Sequence, residues 1–154
     1  MSEPLAYFLT WTTYGTWPPG DERGWVKKRE GFQSPDFKVA HEARRKLDEP
    51  PFTLKEADRA LVEKTIRQHC NIRKWSLQAI ACRTNHVHAV VSATAAPQVV
   101  MTQLRAWTTR RLKELHSADP VRLRKNYWTE GGSKRFLNDE ASLEAAVIYV
   151  AECQ

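Results

Sequence analysis

The stretch Thr84-Asn85-His86-Val87-His88-Ala89-Val90-Val91 decides the fold and indicates the chemistry of this chain. In an extended strand, successive side chains alternate between the two faces. His86 and His88 therefore point to one face. Val87, Ala89 and Val91 point to the other face, which is apolar and suited to a hydrophobic core. Two imidazoles at positions i and i+2 of a strand can both reach one metal ion, although an isolated pair also occurs as ordinary polar surface.

The composition around this strand is typical of a soluble globular protein. The chain has 154 residues, of which 42% are hydrophobic and 27% are charged, so we expect a single domain spanning residues 1–154. Lysine and arginine total 24 against 18 acidic residues, a net charge of +6. Such an excess can serve solubility alone. It also suits a polyanionic partner, because phosphate contacts dominate affinity for nucleic acids.

The cysteines and the hydropathy indicate a cytoplasmic protein. Cys70, Cys82 and Cys153 are odd in number and lack CxxC spacing, which argues against a disulfide framework or a zinc ribbon and fits a reducing compartment. We recognise no signal peptide at the start of the sequence. No run approaches the roughly 18 apolar residues that a membrane-spanning helix needs, so we expect no membrane association.

Periodicity and capping signals predict the other elements. In chain order we expect a strand at 7–13, a short helix capped by Ser34, a helix from a capping box at Thr53–Glu56 to about Arg73, a strand at 75–82, the histidine strand, a helix from Pro97 to about His116, short strands at 127–129 and 134–137, and a last helix capped by Asn138. This order predicts an α+β fold. We expect a ferredoxin-like sandwich with helices on one face of an antiparallel sheet, the histidine strand at its centre and a C-terminal helix that carries a tyrosine.

The last helix carries a tyrosine at the edge of its apolar stripe. Leu143, Ala146, Val147 and Val150 recur at helical spacing and predict the buried side. Tyr149 falls about 100° around the helix from Val150. A tyrosine in this position usually packs its ring and exposes its hydroxyl, so the periodicity alone assigns it no chemistry.

Three segments together carry a resemblance to a known family. Residues 9–26, 84–93 and 126–154 read LTWTTYGTWPPGDERGWV, TNHVHAVVSA and NYWTEGGSKRFLNDEASLEAAVIYVAECQ. In this order they resemble the single-tyrosine HUH transposases of the IS200-like, REP-associated group. The resemblance implies a ferredoxin-like core, Mg²⁺ or Mn²⁺ held by His86 and His88, and Tyr149 as a nucleophile on the final helix. It also implies that the chain nicks and transfers single-stranded DNA with hairpins or palindromic repeats through a 5′-phosphotyrosine.

The sequence departs from the family pattern at the expected third metal ligand. Many relatives place Gln or Asn four residues after the tyrosine, where this chain has Cys153 and Gln154 follows at five. An ideal helix puts Gln154 about 140° from Tyr149, so joint action needs fraying or a bend at the chain end. The Tyr-Val-x-x-x-Gln ending favours Gln154 as the ligand, with Glu152 as the alternative. We assign Asn85 a supporting role beside the metal rather than on it.

Basic residues supply the candidate DNA contacts. Arg105, Arg110 and Lys113 lie outside the apolar stripe of the helix that starts at Pro97, and Lys134 and Arg135 lie on the strand at 134–137. We expect these five side chains to contact the DNA backbone. A solvated basic face explains the helix residues equally well.

Three functions remain open at this point. The first is the DNA-nicking and strand-transfer enzyme, in which Tyr127 is the main rival of Tyr149 because it also lies in the C-terminal third. The second is a domesticated module that binds DNA hairpins without cleaving them. The third is a replication or relaxase-type nickase, although the three-histidine cluster usual in relaxases is not found in the sequence. The sequence leaves open whether the protein acts as a monomer or a homodimer.

Overall fold

A computed structural model describes residues 3–18, 20–27 and 29–152 and shows an α+β fold, as the sequence predicts. Its elements are β1 (Ala6–Thr12), β2 (Trp25–Lys27), β3 (Gly31–Gln33), α1 (Phe37–Arg45), α2 (Glu56–Arg73), β4 (Ser76–Cys82), β5 (His86–Ser92), α3 (Pro97–Leu115), β6 (Ser133–Leu137) and α4 (Glu140–Glu152). Four of the strands form an antiparallel sheet in the order β4-β5-β1-β6. The histidine strand β5 is therefore an interior strand, as expected.

One face of the sheet carries the main core. Side chains of β1 and β5 pack there against α2 and α3, and the buried cluster includes Tyr7, Leu9, Trp11, Val62, Ile66, Val87, Ala89, Val91, Val100, Met101, Leu104 and Leu112. The apolar positions of β5 belong to this cluster. Because side chains alternate along a strand, the histidines of β5 must lie on the opposite face.

The opposite face is covered by α4. A second, smaller cluster joins Ala6, Ala81, Val90, Leu137, Ala146 and Val150, with Phe8, Leu143 and Val147 packed around it. The helix α4 contacts β4, β5 and β6. The helix that carries Tyr149 thus shares a face of the sheet with the histidines, whereas α2 and α3 cover the other face.

The predicted caps of the first and last helices are wrong by one or two residues. The carboxylate of Asp36, not Ser34, accepts hydrogen bonds from the backbone at the start of α1. At α4 the carboxylate of Asp139, not Asn138, accepts from the backbone N–H of Ser142 at 2.7 Å. A carboxylate stabilises a helix start in two ways: it accepts a hydrogen bond from the backbone, and its negative charge is attracted to the positive end of the helix dipole.

The predicted capping box of α2 is also displaced by two residues. The N–H of Leu54 donates to the carbonyl of Thr84 at 2.7 Å, which keeps the chain extended beyond Thr53. The helix begins after Lys55, whose N–H donates to the carboxylate of Asp58 at 2.8 Å. Thr53 is therefore not the cap, and the helix begins two residues later than predicted.

Two further differences concern short strands. Residues 127–129, predicted as a strand, make only an isolated bridge between Trp128 and Thr13. The hairpin of β2 and β3 was not predicted. Each of its strands is three residues long, too short to show the alternation on which strand prediction depends.

Candidate active site

The pairing of β1 with β5 builds the site around the histidines. Its register sets Thr10 opposite His88 and Thr12 opposite His86. Residues directly opposite each other in an antiparallel pair share a face. The two imidazole ring centroids are 4.7 Å apart. The i, i+2 spacing therefore brings the two rings together.

Each histidine is held through its Nδ1 atom. Nδ1 of His86 lies 2.8 Å from Oδ1 of Asn85, and because an amide oxygen only accepts, Nδ1 donates the hydrogen bond. The Nε2 atom of His86 then keeps its lone pair. Nδ1 of His88 lies 2.8 Å from the hydroxyl of Thr10, which can accept in the same way. Hydrogen bonds to the second ring nitrogen fix the tautomer and orientation of metal-binding histidines in general.

The surroundings favour neutral imidazoles. Burial and the charges of His86 and Arg83 lower the pKa of His88 to about 4. Burial, followed by the charges of Arg83 and Arg23, lowers the pKa of His86 as well. Only the neutral imidazole has a lone pair for a metal ion. Both rings are therefore in the ligand form at neutral pH.

Tyr149 lies beside the pair. Its ring centroid is 5.7 Å from that of His88 and 5.9 Å from that of Phe8. The Phe8 and His88 rings are also in edge contact, at 5.5 Å. Tyr149 is 47% exposed. The phenol thus combines a ring packed against the site with access from solvent.

Tyr127, the rival nucleophile, is enclosed in the core. It is 1% exposed, and its hydroxyl lies 3.1 Å from Nδ1 of His116. Nε2 of the same histidine lies 2.6 Å from the carboxylate of Asp58, which is also paired with Arg122. Burial raises the pKa of Tyr127. A buried tyrosine in this network has a structural role and offers no surface to a DNA strand.

Among the described residues, no carboxylate, thiol or further histidine joins the pair as a third metal ligand. Gln154 lies outside them. Glu152 is exposed at the end of α4. Within residues 3–18, 20–27 and 29–152, no group of three or more His, Cys, Asp or Glu side chains could hold a metal ion. The structure therefore does not bring Glu152 together with the histidine pair.

The candidate DNA contacts divide between the two faces of the sheet. Arg110 and Lys113 are exposed on α3, on the side away from the histidines. Lys134 is opposite Leu9, which belongs to the α3 side. Arg135 is opposite Phe8, and its guanidinium lies 5.6 Å from the centre of the Phe8 ring. Of these four basic residues, Arg135 shares the face of the catalytic candidates.

Arg105 has a specific structural role. Its guanidinium donates to the carbonyls of Gly131 and Thr129, at 2.5 Å to Gly131. Burial lowers its pKa. The side chain fastens the segment before β6 to α3. Its predicted contact with DNA would compete with these two hydrogen bonds.

Sequence reasoning missed several residues that surround the histidines. The alternation of the first strand put Thr10 and Phe8 on its second face, but it did not indicate that this face lies beside the histidines. The charges of Arg83 and Arg23 act on the site, but neither residue was a candidate. The strand register and the course of the loop after β1 bring them to the histidines. The position of Arg83 three residues before His86 was the one available signal.

Comparison with known proteins identifies the family of the chain. The family model described as "Transposase IS200 like" matches residues 46–152. No curated protein matches the sequence. Among solved structures, a REP-associated tyrosine transposase bound to a REP hairpin has a TM-score of 0.55 and 10% identity. The match covers 97% of this chain and 66% of that one, so this chain spans just under two thirds of its length.

A second solved structure is a candidate transposase from Deinococcus radiodurans. It has a TM-score of 0.49 and 16% identity, and the match covers 100% of this chain and 93% of that one. Separately, no helix in the described part of the chain is long and apolar enough to cross a membrane.

Proposed function

The chain belongs to the IS200-like transposase family, and we propose that it cuts and rejoins single-stranded DNA through Tyr149. The observation that carries the proposal is the placement of a half-exposed tyrosine ring 5.7 Å from the ring of His88. The only other tyrosine in the C-terminal third, Tyr127, is buried and bonded to a histidine. Tyr149 is therefore the phenol that a strand lying over the histidine face would meet.

The proposed reaction is a transesterification. The hydroxyl oxygen of Tyr149 attacks phosphorus, and the bond from phosphorus to the 3′ oxygen breaks. The products are a 5′-phosphotyrosine and a free 3′-hydroxyl, and the proton lost by the phenol balances the proton gained by the 3′ oxygen. Since the covalent bond conserves the energy of the phosphodiester, rejoining needs no nucleotide cofactor. A free phenol with a pKa of about 10 is a weak nucleophile at neutral pH, so the site must assist it.

His86 and His88 would hold the assisting ion. The hydrogen bond to Asn85 leaves Nε2 of His86 available, and Nε2 of His88 is available in the same way when the Thr10 hydroxyl accepts from Nδ1. The lowered pKa values keep both rings neutral. Two fixed nitrogen donors suit Mn²⁺ and suit Mg²⁺ less well, so an oxygen ligand is needed, for which we propose Gln154. When bound, Mg²⁺ or Mn²⁺ stabilises the charge that develops on the leaving oxygen.

The proposed substrate is DNA with a hairpin or a palindromic repeat. The support is the net charge of +6 and the basic side chains Arg110, Lys113, Lys134 and Arg135, all exposed. The solved REP-associated transposase with the same fold is bound to a REP hairpin. A homodimer and a cytoplasmic location remain predictions.

Replacement of one hydroxyl group tests the proposal. The protein is incubated with labelled single strands carrying hairpins and Mn²⁺, and a denaturing gel detects a covalent adduct. Tyr149→Phe should abolish both the adduct and the nick while leaving hairpin binding intact. Tyr127→Phe is the matched control and should still form the adduct.

Two results would contradict this assignment. An adduct formed by Tyr149→Phe, or a DNA remnant mapped to the peptide with Tyr127, would exclude Tyr149 as the nucleophile. The parental protein could also bind the hairpin but form no adduct and no nick with Mg²⁺ or Mn²⁺. This result would indicate the domesticated binding module instead.

A further inference from the structure

A cleft of about 390 Å³ opens beside the loop that follows β1. Its walls include the aromatic side chains of Tyr14, Trp17 and Trp128. The carboxylate residues Asp48 and Glu130 also line it, and both are exposed. Trp17 is 38% exposed, which is a large accessible aromatic surface. The cleft thus combines flat apolar walls with hydrogen-bond acceptors.

Hydrogen bonds fasten this loop to the histidine site. The backbone N–H and the hydroxyl of Thr13 both donate to the carbonyl of Asn85, at 2.9 and 3.3 Å. Asn85 is the residue whose side chain holds His86. The hydroxyl of Thr13 lies 2.8 Å from that of Thr16, which immediately precedes Trp17. The cleft and the histidine pair are therefore linked by a chain of hydrogen bonds.

Trp17 is fixed before any ligand arrives. Its indole N–H donates to the carbonyl of Gly24 at 2.7 Å. The guanidinium of Arg23 lies 4.1 Å from the centre of its ring and donates to the carbonyl of Thr16. Arg23 is itself held by two hydrogen bonds, at 2.6 and 2.9 Å, to the carboxylate of Asp21, which is 3% exposed. An aromatic side chain held in this way loses little entropy when a ligand stacks on it.

We propose that this cleft binds an unpaired nucleobase of the DNA strand whose phosphate is bound at the histidine pair, with Trp17 as the stacking surface. The inference rests on the proposed function. Every base has a face that can stack on an aromatic ring, and this stacking is the usual means of holding single-stranded nucleic acid. Arg23 covers one face of Trp17 and its charge also acts on His86, so a single guanidinium is close to both sites.

The two acidic residues of the cleft decide which part of the nucleotide enters. Asp48 and Glu130 would repel a phosphate but can accept hydrogen bonds from an exocyclic amine. Adenine, cytosine and guanine carry such amines on their pairing edges, whereas thymine has no exocyclic amine. The cleft should therefore prefer adenine, cytosine or guanine to thymine.

Binding to two matched substrates tests the proposal. One is a DNA hairpin with a short unpaired extension, and the other is the same hairpin with a blunt end. Trp17→Ala should weaken binding of the extended hairpin by a factor of about 5 to 150, the loss expected for one stacked base, and leave the blunt hairpin unaffected. Trp17→Phe should retain most of the affinity. Phe37→Ala is the control, because Phe37 is 84% exposed on α1 and does not line the cleft.

The affinity losses of the two Trp17 variants on the two hairpins separate a stacking role from damage to the loop. Both Trp17 variants lose the hydrogen bond to Gly24, so a structural role that depends on this hydrogen bond predicts equal losses for them. Equal losses, equal weakening of both hairpins by Trp17→Ala, or no weakening at all would overturn the proposal.

A fluorescent base provides direct evidence of the contact. When 2-aminopurine is placed at each unpaired position in turn, one position should be quenched by the parental protein and by Tyr149→Phe but not by Trp17→Ala. If no adduct forms and this quenching persists, the proposed function fails and the base site stands. If adducts form but no position is quenched through Trp17, the base site is wrong and the proposed function stands.

Discussion

Protonation of His88 is expected to destabilise the metal-free protein in mild acid. The residue is 9% exposed, and its pKa falls from 6.5 to about 4 because burial and neighbouring charges oppose the imidazolium form. The unfolded chain therefore takes up the proton first as the pH falls through 6.5. Stability is lost from there down to about pH 4, where the folded protein takes it up too. The difference of about 2.5 between the pKa values of the unfolded and folded states corresponds to roughly 3 kcal/mol of stability, at about 1.36 kcal/mol for each pKa unit.

Urea unfolding in EDTA at a series of pH values measures this loss. The comparison is with His88→Gln, which cannot be protonated, so the parental protein should lose about 3 kcal/mol more than the variant between neutral pH and pH 4. Protonation of carboxylates with lowered pKa values, such as Asp21 and Glu49, also destabilises the protein in acid. Both proteins contain these groups, so their contribution cancels in the comparison. Parallel pH profiles for the two proteins would refute the assigned environment of His88.

Three other predictions concern the metal, the DNA surface and the core. His86→Ala should abolish Mn²⁺ binding in calorimetry and adduct formation while hairpin affinity stays near the parental value, because phosphate contacts dominate binding. Replacing both Arg110 and Lys113 by alanine should reduce the slope of log affinity against log salt by about 2, and an unchanged slope would make this face a solvated surface. Asp58→Ala should lower the free energy of unfolding by about 3–5 kcal/mol in urea titrations, since it leaves a buried histidine and an arginine without their acceptor.

The sequence predicted the elements that have a clear period. Alternation along β5 separated the apolar positions from the histidines, and the structure confirms both faces. The 3.6-residue period of the last helix put Ala146 and Val150 in the core and Tyr149 at its edge, also as observed. These patterns are local, because a strand or helix with one buried face shows it in its own residues.

Features that depend on contacts distant in sequence could not be predicted. The segment before α2 pairs with the segment before β5, since Leu54 donates to Thr84, 30 positions away, and the local signal at Thr53 does not reveal this pairing. Support for His88 by Thr10 depends on the register of β1 against β5. A shift by two residues would keep the same core faces and place Phe8 or Thr12 opposite His88. The alternation along the two strands does not decide between these registers.

The site arises where two different periods meet. The two-residue period of β5 sets both imidazoles on the face that α2 and α3 leave open. The 3.6-residue period of α4 anchors Val150 on that same face and carries Tyr149 about 100° around, to the boundary between core and solvent. Packing of Val150 thereby limits how far the phenol can lie from His88. It follows that Tyr149 need not be buried to be positioned. As the proposed nucleophile, it could receive a DNA strand without rearrangement of the core.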